Sequence, residues 1–204
     1  MNVELRTPQY FGSPCERLPL APDHHIALGR LPSELDPSDR EFAALWDLHP
    51  SQPRRIHLYG RPVTLPRWEQ AYGRDYHFSG AICAALPVPP ELDSFIRWAQ
   101  CVIETRLNGV LVNWYDGKLG HYIGKHRDSI AGLVDGVPVV TISLGETRVM
   151  RLRRWKGTER LDVQLDHRSV VVIPYATNRA WTHEIVKSSR ACTRRISLTL
   201  RAFA

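Results

Sequence analysis

His126 and Asp128 stand two residues apart, and His183 follows later in the chain. In an extended segment, side chains at i and i+2 project to the same side. A third ligand arriving from another strand completes a set of two imidazoles and one carboxylate. Such a set covers one face of an octahedral ion and leaves three adjacent positions open, as a non-haem Fe(II) oxygenase requires. A 2-oxo acid binding through two oxygens fills two of those positions, and O2 the third. An isolated H-x-D is expected by chance in a chain with 9 histidines, so the neighbourhood must carry the reading. His24, His25, His49, His57, His77 and His121 read as surface or hydrogen-bonded histidines.

The elements that must position these groups are mostly strands. After Gly109, short apolar runs alternate with turn residues. They predict strands over Val110–Tyr115, Val139–Leu144, Arg148–Leu152, Leu161–Leu165, Ser169–Ile173, Thr182–Val186 and Arg194–Arg201. In the last of these, Ile196, Leu198 and Leu200 share one face, and Arg195, Ser197, Thr199 and Arg201 the other. The two arginines lie about 20 Å apart along an extended strand. They suit a dicarboxylate if their long side chains converge; otherwise this is a charged edge strand facing water. Upstream, ten of the 15 prolines fall in the first 66 residues, which read as extended arm and loop with one short helix. Asp36 is the expected N-cap of that helix, with Pro37 at its first position and Phe42, Leu45, Trp46 and Leu48 on its apolar face. Ile56 to Gly80 reads as a pair of strands with a long loop. A second helix is expected from Pro90 to about Leu107.

A length of 204 residues suits one domain. Hydrophobic residues at 43% and charged residues at 24% exclude a disordered, collagenous or coiled-coil chain. No apolar run approaches the ~18 residues of a membrane span. The start, Met1-Asn2-Val3-Glu4-Leu5-Arg6, lacks the pattern of a secretory signal. Cys15, Cys83, Cys101 and Cys192 form no C-x-x-C pair, so buried free thiols in a reducing compartment are expected. That means the cytoplasm, or the nucleus in a eukaryote, with a monomer as the default state. The net charge is +6 and only four of the 27 basic residues are lysines. Arginine pairs in bidentate fashion with phosphate and carboxylate, so an anionic partner fits, as does a coding bias toward arginine.

Taken in order, N-x-Y (Asn113, Tyr115), H-x-D (His126, Asp128), the run Pro138 to Gly145, W-x-H (Trp181, His183) and R-x5-R (Arg195, Arg201) resemble the AlkB family of Fe(II)/2-oxoglutarate-dependent dioxygenases. The likeness runs from about Ile56 to Arg201 and is greatest to the DNA-repair members. It implies an α+β, β-rich fold: a double-stranded β-helix (jelly roll) core over 110–204, a nucleotide-recognition lid over 56–85, one or two supporting helices, and an N-terminal arm over 1–55, all in one structural domain. It implies that His126, Asp128 and His183 hold Fe(II). Arg195 takes the distal carboxylate of 2-oxoglutarate, Arg201 lies near the metal-bound end, and Asn113, Tyr115 and Ser197 complete the cosubstrate pocket. In the lid, Phe78 stacks on a flipped base with Tyr76 beside it, Tyr59 is a candidate wedge, and Arg67 joins them as a substrate contact. The implied reaction is oxidative dealkylation of bases in DNA or RNA, consuming O2 and releasing aldehyde, succinate and CO2. A hydroxylase or demethylase of a protein or small metabolite is the alternative.

Three positions depart from the family pattern. Ile130 stands where repair members carry an acid that accepts from the exocyclic amine of 1-methyladenine or 3-methylcytosine, so base preference is open. Ser197 replaces an asparagine. Arg168 replaces a glycine at a turn.

Overall fold

The computed structural model describes residues 15–58, 60–78 and 80–204. It opens with a hairpin, β1 (Glu16–Ala21) and β2 (His24–Arg30), followed by α1 (Asp39–Asp47). Then come β3 (Arg55–Leu58), β4 (Arg61–Thr64), β5 (Trp68–Tyr72), β6 (Tyr76–Phe78), β7 (Ala81–Cys83), β8 (Ala85–Leu86) and α2 (Pro90–Val102). The remainder is β9 (Gly109–Asp116), β10 (Ile123–His126), β11 (Val139–Gly145), β12 (Arg148–Arg154), β13 (Arg160–Leu165), β14 (Ser169–Ile173), α3 (Tyr175–Ala180), β15 (Trp181–Ile185) and β16 (Arg194–Arg201).

Eight strands build a major sheet in the order β1-β2-β14-β11-β16-β9-β5-β8, and four build a minor sheet, β10-β15-β12-β13. Strand alternation decides what each face of the major sheet meets. On β16, Ile196, Leu198 and Leu200 join the core that Leu45 and Trp46 of α1 and Leu92, Phe95 and Ala99 of α2 cover. On the other face, Val139, Val171 and Ile173 pack with Met150, Leu152, Val163 and Ile185 of the minor sheet. The result is helices on a major sheet on a minor sheet, the β-rich jelly roll expected. Among the described residues, no helix is long and apolar enough to cross a membrane.

Four local expectations are corrected. Residues 16–30, read as extended arm, are the two outermost strands of one edge of the major sheet. Pro19 hid β1, yet a proline is tolerated on an edge strand, and the pairing is irregular between Pro19 and Ala21. The N-cap of α1 is Ser38, not Asp36: Ser38 and Glu41 form a reciprocal capping box. The helix from Pro90 stops at Val102, and Leu107 enters the core from a turn whose carbonyl accepts from Gln100 at 2.6 Å. Finally, the stretch from Ile56 to Gly80 holds more than one strand pair. β3–β4 is one hairpin, β6 belongs to another, and β5 between them joins the major sheet beside β9.

Asp36 has a different task. It accepts from Arg168 Nη1 at 2.9 Å and lies 2.6 Å from His167 Nε2. Arg168 sits at φ 68, where glycine is usual, and its Nε also donates to the Leu31 carbonyl. The arginine at this turn therefore ties the segment after β2 to the β13–β14 turn, contacts that a glycine cannot make.

Candidate active site

The two sheets converge on His126, Asp128 and His183. His126 closes β10 and lies directly opposite His183 in the antiparallel register of β15, with ring centroids 4.4 Å apart. Asp128 follows in the loop after β10. Ligand atoms of the three residues all lie within 4.8 Å of one another. The ring Nδ1 of His126 meets the Gly124 carbonyl at 2.9 Å. A carbonyl only accepts, so Nδ1 carries the proton and Nε2 keeps its lone pair. Asp128 Oδ1 accepts from Arg201 Nη2 at 2.7 Å and from the Tyr76 hydroxyl at 3.1 Å. Its other oxygen, Oδ2, is buried without a hydrogen-bond partner.

Charge states match this geometry. Burial, aided by His183, pushes the His126 imidazole down to about 3. Burial likewise lowers His183. Burial alone would raise Asp128, but the charge and hydrogen bond of Arg201 outweigh it and hold the carboxyl well below its ordinary range. Two neutral imidazoles, one ionised carboxylate and one orphaned carboxylate oxygen fit a divalent cation such as Fe(II).

Asn178 is a residue the sequence reading missed. It lies in α3, and its side chain accepts from the Asp128 amide at 3.0 Å and donates to the Asp128 carbonyl at 3.1 Å. This clamp fixes the backbone of one ligand. Nothing in the sequence marks it, because the partners are 50 positions apart.

The polar face of β16 completes the site. The strand is central, between β11 and β9, so its arginines do not face water: Arg195 is 0% exposed and Arg201 3%. Arg195 donates to the Ser143 hydroxyl at 2.9 Å and stacks over the Tyr115 ring at 4.9 Å. Its Nε and Nη1 are buried with no partner, and burial pulls its guanidinium below its ordinary pKa. A buried, half-satisfied guanidinium is an anion site awaiting its ligand. In register beside it, Asn113 of β9, Ser197 of β16 and Ser143 of β11 form one cross-strand row. Ser143 and Thr141, also lining this region, were not foreseen.

Arg195, Arg201, Asn113, Tyr115, Ser197 and the three candidate ligands line one cavity of about 630 Å³. The lid hairpins line its other end with Ile56, Val63, Tyr76 and Phe78. Tyr76 and Phe78 stack at 5.5 Å, but Tyr76 lies deeper than a rim residue: it is buried, and Arg201 sits 4.2 Å over its ring. Arg67, just before β5, donates to Asn113 Oδ1 at 2.6 Å and to Glu69 at 2.7 Å. Glu69, another residue not foreseen, is 1% exposed; burial raises its carboxyl despite Arg67 and Arg54. Ile130 is the misplaced expectation. It is 42% exposed and lines a neighbouring groove beside Trp155, which shares His126 and Asp128 with the cavity, rather than the cavity itself. The loop after Asp128 turns it outward, while Ser129 does line the cavity. Tyr59 lies outside the described residues.

The buried imidazoles carry a pH consequence for the metal-free protein. Unfolded, both histidines take up a proton near pH 6.5, whereas folded they resist it. The unfolded state then binds more protons, so stability is lost as pH falls below about 6.5 and is unaffected above it. Urea unfolding in the presence of a chelator is expected to lose about 1 kcal/mol through His126 between pH 7.5 and 5.5, with a further loss of the same sign through His183. The His126→Gln/His183→Gln double variant should show a flatter profile, and an identical one would refute the neutral assignment.

A sequence model of the 2OG-Fe(II) oxygenase superfamily matches residues 49–201. The DNA oxidative demethylase ALKBH2 of Bos taurus is 31% identical over 158 residues, covering 72% of this chain and 56% of that protein. The Mus musculus protein of the same name is 28% identical over 194 residues, covering 89% of this chain and 80% of its own. The matched region thus spans little more than half the length of the bovine relative. Among solved structures, that of OsALKBH1 superposes with a TM-score of 0.59 at 17% identity, covering 92% of this chain and 99% of that one. The last comparison speaks for the fold alone.

Proposed function

Because the chain belongs to the AlkB family within the 2OG-Fe(II) oxygenase superfamily, we propose that it oxidatively dealkylates N-alkylated bases in nucleic acid. The observation that carries this reading is a single cavity. It has the His126–Asp128–His183 cluster on its wall, an unsatisfied buried guanidinium at one end and the Tyr76–Phe78 pair at the other.

His126 Nε2, Asp128 Oδ2 and His183 would hold Fe(II). When bound, iron with 2-oxoglutarate and O2 supplies the oxidation: the cosubstrate becomes succinate and CO2, and the N-alkyl carbon gains a hydroxyl. The hydroxylated group then leaves as an aldehyde and the nitrogen recovers its proton. Arg195 pairs with the far carboxylate of 2-oxoglutarate through the donors that now lack partners. Asn113 has its carbonyl oxygen engaged by Arg67, which turns its amide NH2 toward the cosubstrate. Arg201 and Tyr76 both donate to Asp128 Oδ1, leaving Oδ2 for the metal. Phe78 supplies a flat face against which a base taken out of its stack can rest. Ile56, Val63 and Leu65 keep this end of the cavity apolar and exclude water.

The test is a turnover panel: Fe(II)-loaded protein, 2-oxoglutarate and air with alkylated or unmodified oligonucleotides, in single and double strands. Mass spectrometry reads alkyl loss and succinate together. Alkyl loss coupled to succinate is expected, and oligonucleotide binding should weaken, per tenfold rise in salt, by about 0.9 log units for each phosphate neutralised on a duplex and about 0.7 on a single strand. Succinate with no change in any oligonucleotide would move the substrate to proteins or metabolites.

A further inference from the structure

Resting on the dealkylase reading, we infer that the preferred lesion is a neutral base presenting carbonyl oxygens and no exocyclic amine, of the 3-methylthymine type, with 1-methylguanine, neutral but carrying a 2-amino group, second to it. Cationic bases such as 1-methyladenine and 3-methylcytosine are disfavoured.

The argument is one of charge and hydrogen-bond polarity. Among the described residues lining the cavity, Asp128 is the only carboxylate. It is committed to Arg201, Tyr76 and the metal position. Arg67 and Lys125 line the same cavity as cations, while the Arg127 guanidinium stacks on Trp155 and donates to the Arg179 carbonyl at the neighbouring groove. Glu69 lies behind Arg67 and is spent on Arg67 and Arg54. The loaded centre does not reverse this balance. Fe(II) and a dianionic cosubstrate cancel, and Asp128 is outnumbered by Arg195 and Arg201, so the assembled floor is net positive. A base bearing a fixed positive charge would be desolvated against that field with no anion to meet it. A neutral base incurs no such cost.

Hydrogen-bond polarity agrees. Asn113 and Glu69 occupy Nε and Nη2 of Arg67, and Nη1 has no hydrogen-bond partner among the described residues. Lys125 can only donate. Ser129 Oγ already accepts from the Ala131 amide at 3.3 Å, which leaves it one acceptor lone pair beside its own O–H donor. Donors outnumber free acceptors where a base edge would dock, which suits carbonyl oxygens and leaves an exocyclic amine unmatched. Ile130, 42% exposed on the neighbouring groove, supplies no acid at the rim.

The experiment has two arms. Anaerobic binding of oligonucleotides carrying each of the four lesions to protein loaded with Mn(II) and 2-oxoglutarate is read by fluorescence anisotropy. Alkyl loss from the same four is then read with Fe(II) in air. At least a tenfold preference for the neutral pair is expected in both arms. Ser129→Asp, which places a carboxylate on the cavity wall, is expected to shift the preference at least tenfold toward the cationic pair. A wild-type preference for the cationic pair overturns this inference and leaves the dealkylase reading standing. Alkyl loss from none of the four while succinate forms overturns both.

Discussion

Asp128→Ala is expected to abolish succinate formation from 2-oxoglutarate and to weaken Mn(II) binding by at least about 100-fold, more than loss of a group that only supports a ligand costs. The size follows from three roles held by one carboxylate. It offers the orphaned oxygen to the metal, it takes the Arg201 guanidinium, and it receives the Tyr76 hydroxyl. The stability effect has the same sign. Removing the carboxylate strands Arg201, 3% exposed, beside a tyrosine ring with no anion. Breaking a buried pair from one side costs about 3–5 kcal/mol. For a chain of this size, melting should fall by roughly 2–4 °C per kcal/mol. Asp128→Asn separates the effects: its amide oxygen still accepts from Arg201, so most of the melting temperature returns while metal binding stays weak. Calorimetric melting and Mn(II) titration of both variants measure this. Equal metal affinity in wild type and Asp128→Ala would remove the carboxylate from the site.

Arg195→Met gives effects of opposite sign. In the metal-free and cosubstrate-free protein, Arg195 is a fully buried cation with two unsatisfied nitrogens. Replacing such a group by an apolar side chain of similar length is neutral or stabilising by about 1–4 kcal/mol. The melting temperature therefore holds or rises. The KM for 2-oxoglutarate rises by about 100-fold or more, since a charge-assisted, two-pronged contact to a carboxylate is lost. Arg195→Lys does not restore it, because one ammonium cannot reproduce the planar fork. A destabilised Arg195→Met protein with an unchanged KM would mean that the guanidinium is structural rather than a cosubstrate contact.

The contrast between what could and could not be read in advance has a physical basis. The two faces of β16 were legible because strand alternation has a period of two and the strand is paired on both sides. Sequence left undecided whether the polar face met water or a cavity; the neighbours β11 and β9 decide that. The facing of His126 and His183 depends on β10, a four-residue strand containing Gly124 and Lys125, which has no apolar period to reveal it. α3 escaped because it is only six residues long and holds two weak helix formers, Thr177 and Asn178, at its middle. It persists because Pro174 opens it and Asn178 is tied to Asp128. The expectation for Ile130 rested on counting residues past Asp128, and counting cannot tell which way a loop side chain turns. Asp36 was given to the wrong task because aspartate suits a helix start as well as an ion pair. Only the spatial approach of Arg168 and His167 decides between them.

β10 is the outermost strand of the minor sheet, held to β15 by a short, irregular pairing whose last rung is His126 opposite His183. An ion held by both imidazoles would join the two partners of that rung and close the chain between positions 126 and 183, 57 positions apart. Topologically this is what a disulfide does: it denies the unfolded chain most of its freedom, an effect of up to about 4 kcal/mol for a ring of that length. A metal held there would thus also serve as a cross-link, fastening the margin of a sheet whose edge strand exposes unpaired backbone.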